Sequence, residues 1–278
     1  VVTRNWNVEV GASVGHYANK VTKLPDGDYT TSVYGDNNIL TSVGNPVGLF
    51  YGYKTAGVFA TDAEAKAAGK DGYLYMEDNA GLRNDFKAGD VHFIDQNNDG
   101  KISELDKVVI GDPNPDIYGN IFATINYKNL TLIMGWNYSL GNDVYNYQRS
   151  ILNSGSTFYN QQVAEVAHWR YEGQQTDLPR LAYGDPMGNN RFSDRWIEDG
   201  SYLRLKTLNL SYKVPVPGSW TWLQGLTVWA QANNLLTFTK YLGSDPEFSI
   251  GNGVLYQGID CGNIAQGRSF QCGVKINL

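Results

Sequence analysis

Residues 95–106 place oxygen-bearing side chains at the spacing of a calcium-binding loop. The side chains of Asp95, Asn97, Asp99 and Asp106 and the main-chain carbonyl of Lys101 would supply the oxygens that calcium prefers. Asp106 is shorter than the glutamate that usually closes such a loop, which predicts a weak site. The alternative is a surface loop whose Asp and Asn side chains cap their own backbone without any ion. Ca²⁺ is therefore a candidate cofactor that would stiffen this loop.

Aromatic residues are concentrated in one polar stretch, residues 141–201. Trp169, Tyr171 and Trp196 lie there among other aromatic residues. This is more aromatic area than a solvated loop needs, so part of it must be covered. One interpretation is packing of loop on loop or against a partner. The other is stacking on a sugar or peptide ligand, and the three residues are candidate contacts to a substrate or partner.

The residues that most often carry catalysis are not arranged for it. The three histidines, His16, His92 and His168, are scattered, and their spacing makes neither a zinc pair nor a triad with a Ser or Cys nucleophile. Adjacent carboxylates such as Glu198 and Asp199 are usually solvated charges when they lie in a loop. The sequence therefore predicts that the protein is not an enzyme.

Composition favours β structure and disfavours nucleic acid as a partner. Aromatic residues make up 13% and charged residues 18% of the chain, with 31 Gly, a balance that suits aromatic-rich strands punctuated by glycine. The formal net charge is −6, and no run of Lys or Arg is present to neutralise a row of phosphates. No stretch approaches the roughly 18 apolar residues of a membrane-spanning helix. A membrane protein with this sequence must therefore be a barrel.

Six stretches alternate between apolar and polar residues, which is typical of strands with one apolar and one polar face. They are residues 6–14, 120–127, 130–138, 202–214, 226–238 and 270–278. In the last stretch the alternation continues to the final residue, Leu278. These stretches approach or exceed the about 9–11 residues that a tilted strand needs to cross a bilayer, whereas globular strands usually have about five or six.

The connections between these stretches alternate in length. Residues 128–129 and 215–225 form short links, whereas residues of about 18–119, 141–201 and 239–267 are long, polar and rich in Gly, Asn, Asp and Tyr. Outer-membrane barrels combine tight periplasmic turns with long extracellular loops in this way. The prediction is an all-β fold, a partial transmembrane antiparallel β-barrel within a longer polypeptide, because six strands are too few to close a barrel. The alternative is a soluble or surface-anchored β-sandwich that binds glycans.

Local signals predict one short helix and unpaired cysteines. Thr61 and Glu64 form a capping box, and Gly69 would end a helix inside the first long connection. Cys261 and Cys272 are too few for a disulfide framework. Cys272 is in phase with the apolar positions of its strand, which favours an unpaired small apolar side chain over a bridge to Cys261.

Several blocks of sequence resemble a known family, in the order that the family has them. The first is residues 45–59, with Gly-Tyr-Lys followed by Gly-x-Phe. After it come Gly89-Asp90-Val91 before the calcium-like loop, residues 110–119, residues 195–206, residues 233–241 and Asp245-Pro246-Glu247. From about Gly48 to the carboxy terminus, the chain resembles the carboxy-terminal barrel part of SusC/RagA-type TonB-linked outer-membrane receptors.

The resemblance implies a barrel of about 22 strands with an amino-terminal plug that is not present in this chain. It further implies import of nutrient oligomers, either glycan or peptide, across the outer membrane of a Gram-negative bacterium. The expected partners are a SusD-like surface lipoprotein that acts as a lid, TonB acting through the missing amino-terminal part, outer-membrane lipid, and the oligosaccharide or peptide substrate. One departure is Leu278, because the family usually ends in an aromatic residue.

Overall fold

The structure is a computed structural model that describes residues 2–3, 5–34, 37–78, 80–220, 222–248, 251 and 253–278. Its strands, in chain order, are β1 (Trp6–Gly15), β2 (Tyr29–Ser32), β3 (Asn37–Thr41), β4 (Leu49–Gly52), β5 (Thr55–Val58), β6 (Tyr75–Glu77), β7 (Arg83–Asp85), β8 (Val91–Phe93), β9 (Val108–Gly111), β10 (Ile117–Tyr127), β11 (Leu130–Leu140), β12 (Asp143–Asn146), β13 (Ile197–Asp199), β14 (Tyr202–Val214), β15 (Gly225–Thr239), β16 (Ile259–Asp260) and β17 (Ser269–Asn277). Two α-helices, α1 (Asp62–Ala67) and α2 (Tyr147–Leu152), and 3₁₀ turns at Glu104–Asp106, Val163–Ala167, Asp194–Trp196 and Val254–Tyr256 lie between them. None of the described helices is long and apolar enough to cross a membrane.

The six long strands form one antiparallel sheet in the order β1-β10-β11-β14-β15-β17. All six predicted stretches are confirmed as strands, although β10 begins three residues before residue 120, at Ile117. The strands are 9 to 15 residues long, which is the length range that tilted bilayer-crossing strands need. Because neighbours in sequence are neighbours in the sheet, this is the up-and-down arrangement of an outer-membrane barrel wall.

The two faces of this sheet differ in polarity. Directly paired residues point to the same face, so a row across the sheet can be read from the pairing. One apolar row contains Val10, Ala123, Met134, Leu208, Ala232 and Phe270. A polar row on the opposite face contains Ser13, Asn120, Asn137, Arg204 and Thr237. On the apolar face Val10, Val14 and Phe270 are 66%, 73% and 72% exposed, so these residues are not packed against a second sheet as the β-sandwich alternative requires.

Aromatic side chains lie at both ends of the apolar face. Trp6 pairs with Tyr127 in the row nearest the short connections, and their ring centroids are 4.4 Å apart. At the opposite end, Trp136 stacks on Phe238 with a centroid distance of 6.3 Å. Tryptophan and tyrosine favour the membrane–water interface because their rings combine an apolar body with a polar group. The apolar face therefore has the organisation of a surface that contacts lipid.

Short and long connections lie at opposite ends of the sheet. The short ones are residues 128–129, where Lys128 adopts a φ of 50°, and residues 215–224. The long ones are residues 16–116, 141–201 and 240–268, called here the first, second and third loops. In the first loop, α1 forms as predicted: Thr61 Oγ1 accepts a hydrogen bond from the Glu64 amide at 3.2 Å, and Glu64 Oε2 accepts one from the Ala60 amide at 2.8 Å.

The three loops pack into one assembly with its own apolar core. One cluster comes mainly from the first loop and consists of Tyr53, Phe59, Ala65, Leu74, Met76, Phe86, Val91, Phe93, Ile102 and Met187. A second cluster draws on all three loops and consists of Val33, Ile39, Phe50, Tyr145, Phe192, Trp196 and Ile259. Short sheets, such as β2-β3-β4-β9, satisfy the backbone of the loops. This loop assembly is a folded layer above one end of the barrel wall.

Candidate functional site

An ion pair with a buried carboxylate holds the first loop against the second. Asp90 is fully buried, and Arg180 donates to both of its carboxylate oxygens at 2.8 and 3.0 Å. Asn189 adds a third hydrogen bond to Asp90 at 3.0 Å and accepts one from the Val91 amide at 2.8 Å. A buried carboxylate is tolerated only when it is paired in this way, and the loss of one partner leaves an uncompensated charge. The two loops are therefore expected to stay together as one unit.

A second ion-pair network ties the third loop to strand β14. Arg204, on the polar face of the sheet, contacts Asp245 through both terminal nitrogens and Glu247 at 3.1 Å. Lys206 reaches the same Glu247 oxygen at 2.8 Å. Hydrogen bonds from Arg204 and from the amides of Gln266 and Glu247 lower the pKa of Asp245 despite its burial. The Asp245-Pro246-Glu247 block thus anchors the third loop to strand β14 on the polar face of the sheet.

The calcium-like loop is closed by its own backbone amides. Asp95 accepts hydrogen bonds from the amides of Asp99 and Gly100, at 3.3 and 2.7 Å. Asp99 accepts one from Lys101 N at 2.8 Å, and the fully buried Asp106 accepts Gln96 N at 2.9 Å and Ser103 N at 2.8 Å. Among the described residues, no three or more His, Cys, Asp or Glu side chains gather as a metal-holding group. Each carboxylate oxygen keeps a second lone pair, so these bonds also permit a cation, and calcium binding stays a prediction.

Trp196 is a core residue of the loop assembly. Its side chain is 1% exposed, and its indole nitrogen donates to the main-chain carbonyl of Arg191 at 3.1 Å. The guanidinium groups of Arg149 and Arg195 lie over its ring, at 5.4 and 4.7 Å from the centroid. Loop residues already cover the ring of Trp196, so a direct contact with a substrate or partner would need the loops to move, and this contact stays a prediction.

Trp169 and Tyr171 differ from Trp196 in exposure. Trp169 is partly buried where the second loop meets the first: its indole donates to the Ala60 carbonyl at 3.3 Å, and its ring rests on Gly89, where a Cβ would collide with it. Gly89 also has a φ of +84°, so this position needs glycine for both reasons. Tyr171 is 66% exposed. Trp169 therefore packs loop on loop, while Tyr171 remains accessible to a partner or ligand.

An exposed apolar patch on the second loop was not singled out from the sequence. Phe158 and Tyr183 stack with centroids 4.7 Å apart, although both are largely exposed. Val163 and Val166 are also exposed on the same stretch, at 85% and 69%. Only the aromatic richness of residues 141–201 signalled it, because pattern alone does not tell a buried ring from an exposed one. Large exposed apolar patches of this kind mark interaction surfaces.

The polar face of the sheet continues into a cleft beneath the loop assembly. Its volume is about 380 Å³, and its walls include Tyr118, Asn120, Asn137 and Tyr202 from the sheet and Gln257 from the third loop. Gln257 donates to the Pro113 carbonyl at 3.0 Å, which holds the third loop against the first. The cleft combines amide and phenol groups and is suited to hydrogen bonding with a polar ligand.

The histidines lie apart and serve local structure. His16 and His168 each place Nδ1 at 2.6 Å from a main-chain carbonyl oxygen, of Asp116 and Glu165 respectively. His92 stacks on Phe59 with a centroid distance of 4.3 Å, and burial lowers its pKa. None of them is hydrogen-bonded to a nucleophilic side chain in the described part of the chain. The free cysteines, Cys261 and Cys272, are likewise not joined to each other.

Relatives with known names match nearly the whole chain. No family model matches it. TonB-dependent receptor P3 of Formosa agariphila is 33% identical over 274 residues, which cover 94% of this chain and 26% of that protein. TonB-dependent receptor SusC of Bacteroides thetaiotaomicron is 23% identical over all of this chain and 25% of its own length. The solved RagAB peptide transporter superposes on 99% of this chain and 28% of its own, with a TM-score of 0.73 and 21% identity. The chain thus spans about a quarter of the relatives it matches.

Proposed function

Because this chain belongs to the TonB-dependent receptors of the SusC/RagA type, we propose that it forms part of an importer of nutrient oligomers in the outer membrane of a Gram-negative bacterium. The observation that carries the proposal is the division of the sheet into an apolar face flanked by aromatic residues and a polar face that leads to the cleft below the loop assembly. The apolar face contacts lipid, and the polar face lines the passage for the substrate.

The polar face is built to present hydrogen-bonding groups in fixed positions. Asn209 donates to Gln231 at 3.2 Å, Gln231 to Asn233 at 2.9 Å, and Asn233 to Ser269 at 3.0 Å, so one chain of amides crosses three strands. Such a wall favours a polar oligomer without binding one residue of it tightly. Transport needs binding that is strong enough for entry and weak enough for release.

The loop assembly supplies the surface for a SusD-like lipoprotein lid. The exposed patch of Phe158, Val163, Val166 and Tyr183, together with Tyr171, offers rigid aromatic and apolar area above the barrel wall. Aromatic anchors of this kind provide much of the binding energy in protein interfaces. TonB would act through parts of the receptor outside this chain, so gating is not assigned to these residues.

The test compares receptors in cells with and without TonB. Uptake of oligomers from a protein digest and from a polysaccharide digest should require both the receptor and TonB, and uptake that persists without TonB would overturn the proposal. The double variant Phe158→Ser, Val163→Ser should weaken lid binding by about five- to thirty-fold while the amount of receptor in the outer membrane stays constant. Leu105→Ser, at an exposed apolar residue of the first loop outside the patch, is the matched control.

A further inference from the structure

A second cleft lies within the loop assembly, apart from the polar wall of the barrel. Its volume is about 410 Å³, and charged side chains of both signs line it: Glu77, Asp78, Lys101, Glu104, Lys107 and Arg191. One side is formed by the calcium-like loop, and Arg191 enters from the second loop. Neither the barrel wall nor the exposed apolar patch accounts for this concentration of charge.

Two of the cations are already neutralised by neighbours. Lys101 Nζ lies 2.6 Å from Glu77 Oε2, and Lys107 Nζ lies 2.8 Å from Glu104 Oε2. These contacts use one acid for each lysine. Arg191 and Asp78 remain, and in the described part of the chain neither has a partner of opposite charge within ion-pair distance.

Arg191 has an unusual set of contacts for a guanidinium. Its Nη2 donates to the Met76 sulfur at 2.8 Å, a weak acceptor, and its Cζ lies 5.6 Å from the Tyr53 ring and 5.8 Å from the Phe93 ring. These rings and the Met76 sulfur hold the side chain in place, so its fork is ordered before any ligand arrives. A planar fork with free donors suits a carboxylate, which it can bind through two parallel hydrogen bonds.

Asp78 provides the opposite charge at the same cleft. Its Oδ1 accepts the amides of Ala80 and Leu82, both at 2.9 Å, which fixes the carboxylate at a turn and leaves Oδ2 for another donor. The aromatic ring at the cleft, Tyr53, is covered, because Lys107 and Arg191 both lie over it and its side chain is 5% exposed. The cleft therefore offers charges of both signs and no open aromatic face on which a sugar ring could stack.

We propose that this cleft binds a peptide that carries charges of both signs, with a ligand carboxylate on Arg191 and a ligand ammonium on Asp78. The inference rests on the proposed function and deepens it, because it makes the imported oligomer a peptide. Peptides combine acidic and basic groups in one short segment, whereas neutral glycans and polyuronates carry hydroxyls with either no charge or negative charge alone. Binding in the loop assembly would retain the peptide beside the entrance to the barrel.

The experiment measures binding to the complete receptor with its lid, purified in detergent, by fluorescence anisotropy. The probes are a labelled hexapeptide of alternating lysine and glutamate, a serine–glycine hexapeptide, a galacturonate hexamer and maltohexaose. The wild-type receptor should prefer the charged peptide. Arg191→Gln should weaken its binding by about ten-fold or more, the range for a lost hydrogen bond to a charged group. Arg268→Gln, at an exposed arginine outside the cleft, should leave binding unchanged.

A second variant gives an independent test in case Arg191→Gln does not fold. Asp78→Asn keeps an oxygen for the turn amides and removes the charge. It should therefore weaken binding of the lysine–glutamate peptide and leave binding of the serine–glycine peptide unchanged. Equal binding of the charged peptide by the wild type and both variants overturns the proposal, as does failure of that peptide to bind or binding of an oligosaccharide alone. Loss of TonB-dependent uptake of every oligomer would instead overturn the proposed function.

Discussion

Asp106 shows why the calcium-like loop can be interpreted either as a self-capped turn or as an ion site. Its carboxylate is fully buried and accepts the Ser103 amide and hydroxyl as well as the Gln96 amide. The same residue occupies the closing position of the calcium-like loop, and side-chain oxygens of Asp95, Asn97 and Asp99 likewise accept hydrogen bonds from backbone amides of the loop. The residue types that cap turns are also those that bind calcium, so the loop geometry suits both interpretations.

Calcium binding to residues 95–106 is the first prediction. The metal-depleted receptor should take up one calcium ion with an affinity in the range of about 10⁻⁴ to 10⁻³ M, typical of extracellular modules, measured by titration calorimetry. Asp99→Ala should remove this binding, whereas Asp26→Ala, at an exposed acid of the first loop, should not. If the wild type and Asp99→Ala give the same titration, the loop is only a self-capped turn.

Glu165 is a buried acid whose charge is poorly compensated. Its side chain is 5% exposed, Oε1 has no hydrogen-bond partner among the described residues, and burial raises its pKa from 4.5 to about 7, against the attraction of Arg195. Because the folded-state pKa lies above the unfolded one, the folded loop binds the proton more tightly. The contribution of Glu165 to the free energy of unfolding is therefore most favourable below about pH 4.5. It falls as the pH rises to about 7 and remains lower above that.

Replacing Glu165 by Gln should remove this pH dependence. At pH 8 the variant should protect the amides of residues 141–201 from hydrogen exchange more strongly than the wild type, by up to about 3 kcal/mol, since one pKa unit corresponds to about 1.4 kcal/mol. At pH 4 the two should be alike. The matched control is Glu172→Gln, at an exposed acid of the same loop. A constant difference between Glu165→Gln and wild type at both pH values would contradict the prediction.

The loops behave as folded elements because long-range contacts hold them. Trp196 belongs to an apolar cluster with residues from all three loops, and Asp90 of the first loop is bonded to Arg180 and Asn189 of the second. The barrel strands, by contrast, hold one another through long antiparallel ladders that do not use these residues. Damage to the loop core should therefore disturb the loop assembly before it disturbs the sheet.

Trp196→Ala should unfold or loosen the loop assembly. A large buried side chain truncated to alanine typically costs about 3–5 kcal/mol because a cavity remains. Receptor abundance in the outer membrane and resistance of the loops to protease should fall together with uptake. Tyr171→Ala, at an exposed residue of the same loop, should leave both abundance and protease resistance unchanged. Normal abundance and protease resistance of Trp196→Ala, with loss of uptake alone, would restore a direct role for its ring.

At the scale of the whole molecule, we expect the two ends of the sheet to face different compartments. The short links at residues 128–129 and 215–224 and the loop assembly lie at opposite ends of strands that all run between them. When each strand pairs antiparallel with the next one, successive connections must alternate between the two ends of the sheet. If the loops are extracellular, the carboxy-terminal strand β17 runs toward the periplasm.

Cysteine labelling of intact cells checks this orientation. In a background with both native cysteines replaced by alanine, a cysteine at Glu172 should react with a membrane-impermeant maleimide, and a cysteine at Asn129 should not. Both positions are exposed in the structure, so a difference in labelling reports the compartment and not burial. Surface labelling at Asn129 would reverse the assignment of the two ends.

The sequence alone predicts the features that depend on short stretches of chain. Alternation with a period of two determines both the strand and its apolar face, because successive side chains of a strand point to opposite sides. The helix at residues 62–67 follows from the Thr61 cap, and the turn at Lys128-Asn129 from the gap between two alternating stretches. Each of these features is decided by residues within a few positions of each other.

Only the tertiary structure decided which polar and aromatic side chains are covered. Trp196 and Phe158 have the same local context of polar loop sequence, yet one is buried and the other is 90% exposed. Arg180 is paired with an acid 90 residues earlier in the chain, and Arg191 meets two rings and a thioether from the first loop. Pairing and burial at such separations depend on how the loops pack, and no periodic pattern in the sequence encodes that packing.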